Sequence, residues 1–327
     1  MIDITTELFH AKIFGARADM TIFKKVRNYF YLHGNLYVYV RKYKDNLCLY
    51  TFNKYDQMIK LICHLATYDD KCSFVTNPHI PNVIYANFKL NRGETQSYIS
   101  VDNGKNFEPI KFKDRHSSGV GNNVRIEFDL ECRDDYIQSN FPEKFIIIFK
   151  GSFHTKGSTT RHIFISVDDG LNWNILGSRI EKLILMNRGG IMLGIEYNIH
   201  RFWYSYDYGF HWMSKSTDMN NLVDIIAMEF PNNPIIAAFN YDKLKNIYTL
   251  YLFSFSHLMS RIFIMKDRTC QINDFEHIYV SRYSGTCYQG QQVYNLKKKR
   301  SSMCVDNRKF VPPHTKPCPC SIEDFDW

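Results

Sequence analysis

The chain has no apolar segment long enough to cross a lipid bilayer. Its best apolar runs, such as Phe145–Phe149 and Ile262–Met265, have the length of a strand, whereas a membrane helix needs about 18 consecutive apolar residues. The N-terminus carries Asp3 and Glu7 where a signal peptide has a basic start and an apolar stretch. No N-x-(S/T) glycosylation sequon is present either. These absences alone predict a soluble protein without an export signal.

Motifs of several enzyme classes are also missing. The sequence has no G-x-S-x-G elbow, no H-E-x-x-H motif and no Gly-rich phosphate loop. The formal net charge is +8, but the cations are scattered among acidic residues, which argues against nucleic acid as a partner. We interpret His154 and His162, which flank a polar loop, as surface or turn residues. The sequence therefore predicts no catalytic residue, no metal ligand and no cofactor.

The nine cysteines argue against a reducing compartment. Five of them crowd residues 270–327: Cys270, Cys287, Cys304, Cys318 and Cys320. A zinc site usually has a C-x2-4-C knuckle, and none is present, so a disulfide-bonded module is the better interpretation. Cys318 and Cys320 are too close in sequence to pair comfortably, so they would have different partners. Upstream, Cys63 and Cys72 are candidates for a further disulfide. Disulfides require an oxidising environment, which conflicts with the missing signal peptide.

One short pattern, S-x-D-x-G-x-x-(W/F), occurs three times, each time after an alternating apolar run. The positions shared by the three copies are Ser100, Asp102, Gly104 and Phe107; Ser166, Asp168, Gly170 and Trp173; and Ser205, Asp207, Gly209 and Trp212. The Asp can accept hydrogen bonds from backbone N–H groups of the turn, and Gly supplies a positive φ. The aromatic residue then begins the return strand and enters the core. Each of these Asp boxes therefore predicts a structural hairpin turn.

Repetition of the turn predicts a repeat architecture. Strand signals recur along the chain, long helical periodicity is absent, and aromatic residues make up 16% of the sequence, which favours strands. The spacing from the second box to the third fits one propeller blade. The longer spacing from the first box to the second fits one blade plus an insertion, which we place at Lys113–Asn140. Leu49–Tyr55 is at most a degenerate copy. We expect an all-β chain with about four to five blades, and a boundary near Lys266–Arg268 where the cysteine-rich module begins.

Four segments of the tail resemble the Vps10 domain of sortilin-type sorting receptors. Similar to that family are Cys270-x3-Asp274-Phe275, Cys287-Tyr-Gln-Gly290, the basic run Lys297–Arg300 before Cys304, and Cys318-Pro-Cys320 followed by Asp324-Phe325. Upstream, Ile146–Gly151 and Arg188–Ile195 resemble strands of the family in the same order. Asp boxes alone are only moderately specific, but their combination with this tail is strongly specific.

The resemblance implies a partial Vps10-type β-propeller over residues 1–266 and a truncated cysteine-rich disulfide module over residues 267–327. Family members have a ten-bladed propeller, a two-part cysteine-rich module, a signal peptide, a membrane span and a cytosolic tail. This chain resembles the last four or five blades and the first half of the module. The missing export signal is then a truncation, and membrane association would come only from segments outside this chain.

In function, the resemblance implies a luminal region of a Golgi and endosome receptor that binds protein or peptide cargo, including propeptides, hydrolases and neuropeptide-like ligands. Arg27 and Arg201 precede aromatic strands, but neither matches a ligand motif of the family, so the ligand-binding residues are unknown. Two alternatives remain. One is a stand-alone secreted or luminal binding module; the other is an Asp-box sialidase, whose Arg-Ile-Pro segment and arginine cluster are missing.

Overall fold

The computed structural model describes residues 26–41, 46–52, 57–66, 72–90, 93–112, 124–131, 134–177, 180, 182–196, 201–216, 219, 221–230, 233–254, 269–282, 285–308 and 314–320. Over these ranges the chain is nearly all β, as the sequence predicts. The single α-helix of this part, α1 (Asp134–Asn140), has two turns. Among the described helices, none has the length and apolar character that a membrane span requires.

The first eight strands form two antiparallel meanders, which we call sheet 1 and sheet 2. Sheet 1 contains β1 (Val26–Leu32), β2 (Asn35–Arg41), β3 (Leu47–Phe52) and β4 (Met58–Leu65). Sheet 2 contains β5 (Phe74–Thr76), β6 (Ile84–Lys89), β7 (Thr95–Ser100) and β8 (Glu108–Pro109). The pair Leu65 and Phe88 joins the two sheets. Within each sheet, strands that are consecutive in sequence are neighbours in space.

Three further meanders follow with the same strand order. Sheet 3 contains β9 (Arg125–Phe128), β10 (Ile147–Thr155), β11 (Ser158–Ser166) and β12 (Asn174–Ile175). Sheet 4 contains β13 (Lys182–Met186), β14 (Ile191–Glu196), β15 (Arg201–Ser205) and β16 (Met213–Ser216). Sheet 5 contains β17 (Leu222–Phe230), β18 (Asn233–Asp242) and β19 (Ile247–Ser254). Four-stranded meanders of this kind are the blades of β-propellers.

The Asp boxes occupy the same place in three of these sheets. Each box connects the third strand to the fourth, in sheets 2, 3 and 4. The proposed degenerate copy at Leu49–Tyr55 begins within β3, the third strand of sheet 1, which pairs antiparallel with the fourth; residues 53–56 lie outside the described part. Sheets 2, 3 and 4 thus follow one blade plan.

The predicted insertion at Lys113–Asn140 is partly wrong. It contains β9, the first strand of sheet 3, together with α1. Ile126 and Phe128 are 3% and 1% exposed, and they alternate with the partly exposed Arg125 and Glu127. This alternation is only four residues long, so the polar composition around it concealed the strand.

Apolar cores lie between successive sheets. Phe149, Phe164 and Trp173 of sheet 3 pack with Tyr85 of sheet 2. Residues of sheets 3 and 4 share another core, and a third core joins sheets 4 and 5. Sheets 3 and 4 therefore bury both faces, which fixes the sheets against one another.

Among the described residues, none covers one face of sheet 5. Ile225 and Ile236 on its inner face are 2% exposed. The opposite face, which we call the outer face of sheet 5, carries Asp224, which is paired with Lys182 of sheet 4. Its other members are apolar: Ile226, Ala237, Phe239, Tyr248, Leu250 and Leu252. The side chains of Ile226, Leu250 and Leu252 are 50%, 52% and 61% exposed.

The cysteine-rich module contains a small sheet built around one central strand. Its strands are β20 (Phe275–Tyr279), β21 (Cys287–Tyr288), β22 (Gln291–Lys298) and β23 (His314–Pro317). Strand β22 pairs with each of the other three. Val280, 1% exposed, and Val293 reach into the core between sheets 2 and 3, so the module packs directly on the sheets. The domain boundary near residue 266 stays a prediction, because residues 255–268 lie outside the described part.

Three disulfides are defined. Cys270 bonds Cys304 and Cys287 bonds Cys318 within the module, and Cys48 bonds Cys63 across β3 and β4 of sheet 1. The pairing of Cys63 with Cys72 considered above is not formed, because adjacent strands bring Cys48 to a Cα–Cα distance of 4.0 Å from Cys63. Cys72 is also disulfide-bonded. Cys320, expected to be bonded, is an exposed free thiol.

Candidate functional site: the joint between the Asp boxes and the module

The three Asp boxes share one hydrogen-bond pattern. In the second box, the Ser166 hydroxyl donates to Asp168 Oδ1 (2.9 Å) and accepts from the Gly170 N–H (2.8 Å). Asp168 also accepts from the backbone N–H and the side-chain amide of Asn172. The side chains of Ser and Asp thus satisfy several N–H groups of the turn, which closes the loop locally.

The aromatic residues of the boxes anchor the turns. Trp173 is fully buried, and its indole N–H donates to the Gly170 carbonyl (3.0 Å). Trp212 repeats this bond to Gly209 (3.0 Å), whereas Phe107 has no donor and only packs against the core of sheets 1 and 2. The box aromatics are thus structural residues of the blades.

Cationic side chains of the module contact all three boxes. Arg282 donates to the carbonyl of Val101 (3.3 Å) in the first box and to Pro81 (3.0 Å). Lys297 donates to the carbonyl of Val167 (2.8 Å), which is the same position of the second box. The Arg300 guanidinium lies 3.1 Å from the ring centre of Phe210 in the third box. The module is therefore held on one end of sheets 2, 3 and 4.

Aromatic rings surround the two buried lysines of this joint. The Lys297 ammonium lies 4.6 Å from the ring centre of Tyr208 and 5.7 Å from that of Phe145. Lys298 donates to the Ser302 carbonyl (2.8 Å). Burial lowers the pKa of each lysine to about 8, and cation–π contacts and carbonyl acceptors replace part of the lost hydration.

A second contact joins sheet 4 to the module. The Asn187 amide donates to the Cys304 carbonyl (3.1 Å) and its oxygen accepts from the Asp306 N–H (2.7 Å). Arg188 donates to the Arg308 carbonyl (3.0 Å) and to Glu143 (3.1 Å). Asn187 and Arg188 both have positive φ, 52° and 51°, so the turn between β13 and β14 is shaped to reach the module.

One carboxylate is buried at the centre of the joint. Asp169, the residue after the box Asp, is 7% exposed, and neither of its oxygens has a hydrogen-bond partner among the described residues. The Tyr85 hydroxyl is likewise buried without a partner in the described part. Burial, with the neighbouring charge of Asp168, raises the pKa of Asp169 to about 7, although the Asn295 amide, Lys297 and Arg282 act in the opposite direction.

The sequence indicated the boxes and the module but missed their contact. The run Lys297–Arg300 was interpreted as part of the module, and the structure shows which of its side chains turn inward. Lys297 and Lys298 are 3% and 2% exposed, whereas Lys299 is exposed. An unbroken run of four cations carries no periodicity, so sequence alone could not separate buried from exposed members.

The other residues considered from the sequence lie away from the joint. His154 lies between Thr159 and Glu127 on the surface of sheet 3, and His162 contacts Thr160. The Arg201 guanidinium lies over Trp203, and the side chain of Arg27 is outside the described part.

The potential metal ligands Cys270, Asp274 and Cys304 lie within 4.8 Å of one another. The sulfurs of Cys270 and Cys304 are bonded to each other, so neither is a thiolate that could bind zinc. This cluster is therefore a disulfide beside a buried carboxylate.

The sequence of this chain is similar to that of known proteins. The family model of the C-terminal region of sortilin (neurotensin receptor 3) matches residues 237–326. The vacuolar protein sorting/targeting protein 10 of Emericella nidulans is 24% identical over 249 residues, which are 71% of this chain and 16% of that protein. The corresponding protein of Schizosaccharomyces pombe is 25% identical over 70% of this chain and 17% of its own length.

The chain spans about one sixth of the length of these relatives. Among solved structures, the GH74 enzyme of Niastella koreensis is 12% identical, with a TM-score of 0.32 over 71% of this chain and 37% of that one. A TM-score this low supports no inference about this chain. The sortilin C-terminal match, together with similarity to Vps10 proteins over about 70% of the sequence, supports a Vps10/sortilin-like domain in this chain.

Proposed function

We propose that this chain is a luminal, ligand-binding region of a sorting receptor that captures protein or peptide cargo for transport from the Golgi to endosomes and lysosomes or vacuoles. Vps10 and sortilin proteins are sorting receptors, not enzymes. The observation that carries the proposal is the module held on the Asp-box ends of sheets 2, 3 and 4 by cations that contact all three boxes. Stacked sheets fixed in this way form a rigid support for binding loops.

Cargo would meet surfaces other than the box ends. The module already covers those ends, and the backbone carbonyls of Val101 and Val167 are occupied by Arg282 and Lys297. Propeptides, hydrolases and neuropeptide-like peptides are the cargo classes that we propose. Their binding residues remain to be mapped on the loops at the opposite ends of the strands.

The proposed location is the lumen of the Golgi and endosomes, as part of a single-pass membrane receptor. Disulfides in both the sheets and the module support an oxidising compartment. A non-reducing immunoblot of the native protein tests whether the chain belongs to a larger receptor. A band of twice 38.8 kDa or more supports the receptor, and a band near 38.8 kDa supports a stand-alone binding module instead.

Cargo sorting is tested by disrupting the gene and measuring soluble lysosomal or vacuolar hydrolases in the medium. We expect hydrolase secretion to rise and to return to its original level when the gene is restored. Full intracellular retention of hydrolases in the disrupted cells would contradict the proposal. Immobilised native protein incubated with hydrolase propeptides provides the direct binding measurement.

A further inference from the structure

We propose that Asp169 makes the joint between the second Asp box and the module a proton-dependent contact, which tightens when this carboxyl group takes up a proton from solvent. The contact would hold β22 more firmly against sheets 2 and 3 under mildly acidic conditions than at neutral or alkaline pH. The proposal concerns the internal geometry of the chain, so it is independent of which cargo is bound.

The geometry places a carboxylate where its negative charge is poorly compensated. Asp169 has φ 59°, in the left-handed region, and its N–H donates to the Phe145 carbonyl (3.3 Å). The turn therefore directs the side chain inward, beneath the module. Burial removes the hydration of this carboxylate, and the nearby Asn295 amide, Lys297 and Arg282 replace it only in part. Protonation removes the remaining cost.

Charged and titratable groups face Asp169 from every element packed against it. Sheet 2 contributes the buried hydroxyl of Tyr85, and the box itself contributes the charge of Asp168. Strand β22 contributes Asn295 and Lys297, and the segment after β20 contributes Arg282. The two cations are engaged with backbone carbonyls, so they offset the carboxylate charge only in part.

The other boxes show that the carboxylate is not needed for the turn. Asn103 and Tyr208 occupy the same position with φ 60° and 61°, and both of these turns have the Ser, Asp and Gly hydrogen bonds of the second box. Asparagine is thus compatible with this backbone, and Asp169→Asn removes the ionisable group while keeping its shape. This makes the variant a clean probe of the charge.

The direction of the pH effect follows from the raised pKa. When the joint opens, Asp169 returns to water and to an ordinary pKa near 3.8, whereas in the closed joint the pKa is about 7. Between these values the closed form binds the proton and the open form does not. Closing is therefore favoured as the pH falls, by up to about tenfold per pH unit below pH 7. Lys297 and Lys298, with pKa values of about 8, stay protonated over this range.

The test is hydrogen–deuterium exchange of β22 at pH 5.5, 6.5 and 7.5 in the oxidised full chain, corrected for the intrinsic exchange rate. In the wild type, the opening equilibrium should fall on acidification, by about tenfold from pH 6.5 to pH 5.5. In Asp169→Asn it should be nearly independent of pH, with more protection than the wild type at pH 7.5. Asp169→Gly, which also tolerates positive φ, provides a second variant without the carboxylate.

Asn103→Asp is the matched control, because it introduces a carboxyl group at the same turn position of the first box, where the side chain is only partly buried. It should leave the pH dependence of β22 unchanged. If wild type and Asp169→Asn show the same dependence on pH, the proposal is overturned. It is equally overturned if acidification increases the opening of β22 in the wild type.

Discussion

At the scale of single residues, the fourth position of each Asp box shows one backbone conformation serving three different side chains. Asn103 accepts a hydrogen bond from the Tyr37 hydroxyl (2.5 Å), Asp169 presents a buried carboxylate, and Tyr208 lies beneath Lys297. All three have φ near 60°. The repeat therefore preserves the turn while the side chain at this position is adapted to local packing.

Gly170 provides a prediction at this scale. Its φ is +86°, and a Cβ atom here would overlap the Tyr85 hydroxyl. We expect Gly170→Ala to lower the free energy of unfolding by about 1–3 kcal/mol, through backbone strain and the steric overlap. The measurement is chemical denaturation of the oxidised protein.

Gly177→Ala is the control for that experiment, because an added Cβ there meets no atom within 4 Å and the φ is not in the left-handed range. It should be neutral or slightly stabilising. Equal losses of stability in the two variants would refute the steric argument.

At the scale of elements, strand β22 has the central role, since it pairs with three strands of the module and inserts lysines into the joint. Lys297 is 3% exposed, and its ammonium contacts one carbonyl and two rings. Removing a buried cation of this kind lowers the stability of the protein, because its buried acceptor is left without a donor.

Lys297→Met should lower the free energy of unfolding by about 1–3 kcal/mol at neutral pH, since it leaves the buried Val167 carbonyl unpaired. Lys299→Met is the matched control in the same run, because Lys299 is exposed and bonds the Asn273 carbonyl (2.8 Å) at the surface; it should cost less than about 0.5 kcal/mol.

The pH dependence of the stability difference between wild type and Lys297→Met is a further check. Burial lowers the pKa of Lys297 to about 8 from 10.5, so the wild type gains stability from this residue as the pH rises from 8 towards 10.5 and is unaffected below 8. The gap between wild type and Lys297→Met, measured by denaturation, should therefore widen above pH 8. A gap that narrows there would contradict the assignment.

Much of this element structure could be predicted from sequence. Residues 47–52 form a nearly continuous apolar run between Asn46 and Asn53, and β3 has those bounds. The four-residue β9 could not be predicted, since its alternation is too short to stand out from the polar residues around it. The joint could not be predicted at all, because it depends on which lysines face inward and on contacts between distant segments.

At the scale of the whole molecule, the outer face of sheet 5 differs from every interior sheet face. The same sheet buries its inner face against sheet 4, while β19 has no charged residue and leaves Tyr248, Leu250 and Leu252 exposed. Contiguous apolar surface of this kind favours association, and so does an edge strand, which β19 is within the described part of the sheet.

We therefore expect concentration-dependent self-association of this chain, measured by sedimentation velocity. Leu250→Glu should reduce it, because it places a charge at the centre of the outer face of sheet 5. Leu244→Glu is the control, since Leu244 is 99% exposed in the β18–β19 turn and not on the face. Identical sedimentation of wild type and both variants would show that the face does not associate.

The contacts of the module also set an order of events during synthesis. Arg282 meets residues that are 201 and 181 positions earlier in the chain, and Lys297 meets one that is 130 positions earlier. The ribosome therefore synthesises sheets 2 and 3 well before Arg282 and Lys297. Until then, the carbonyls of Val101 and Val167 lack these donors. Because contacts between residues so far apart in sequence form late, we expect docking of the module to be the last step of folding. A chain that ends before residue 282 would lack the contacts of Arg282 and Lys297 with sheets 2 and 3.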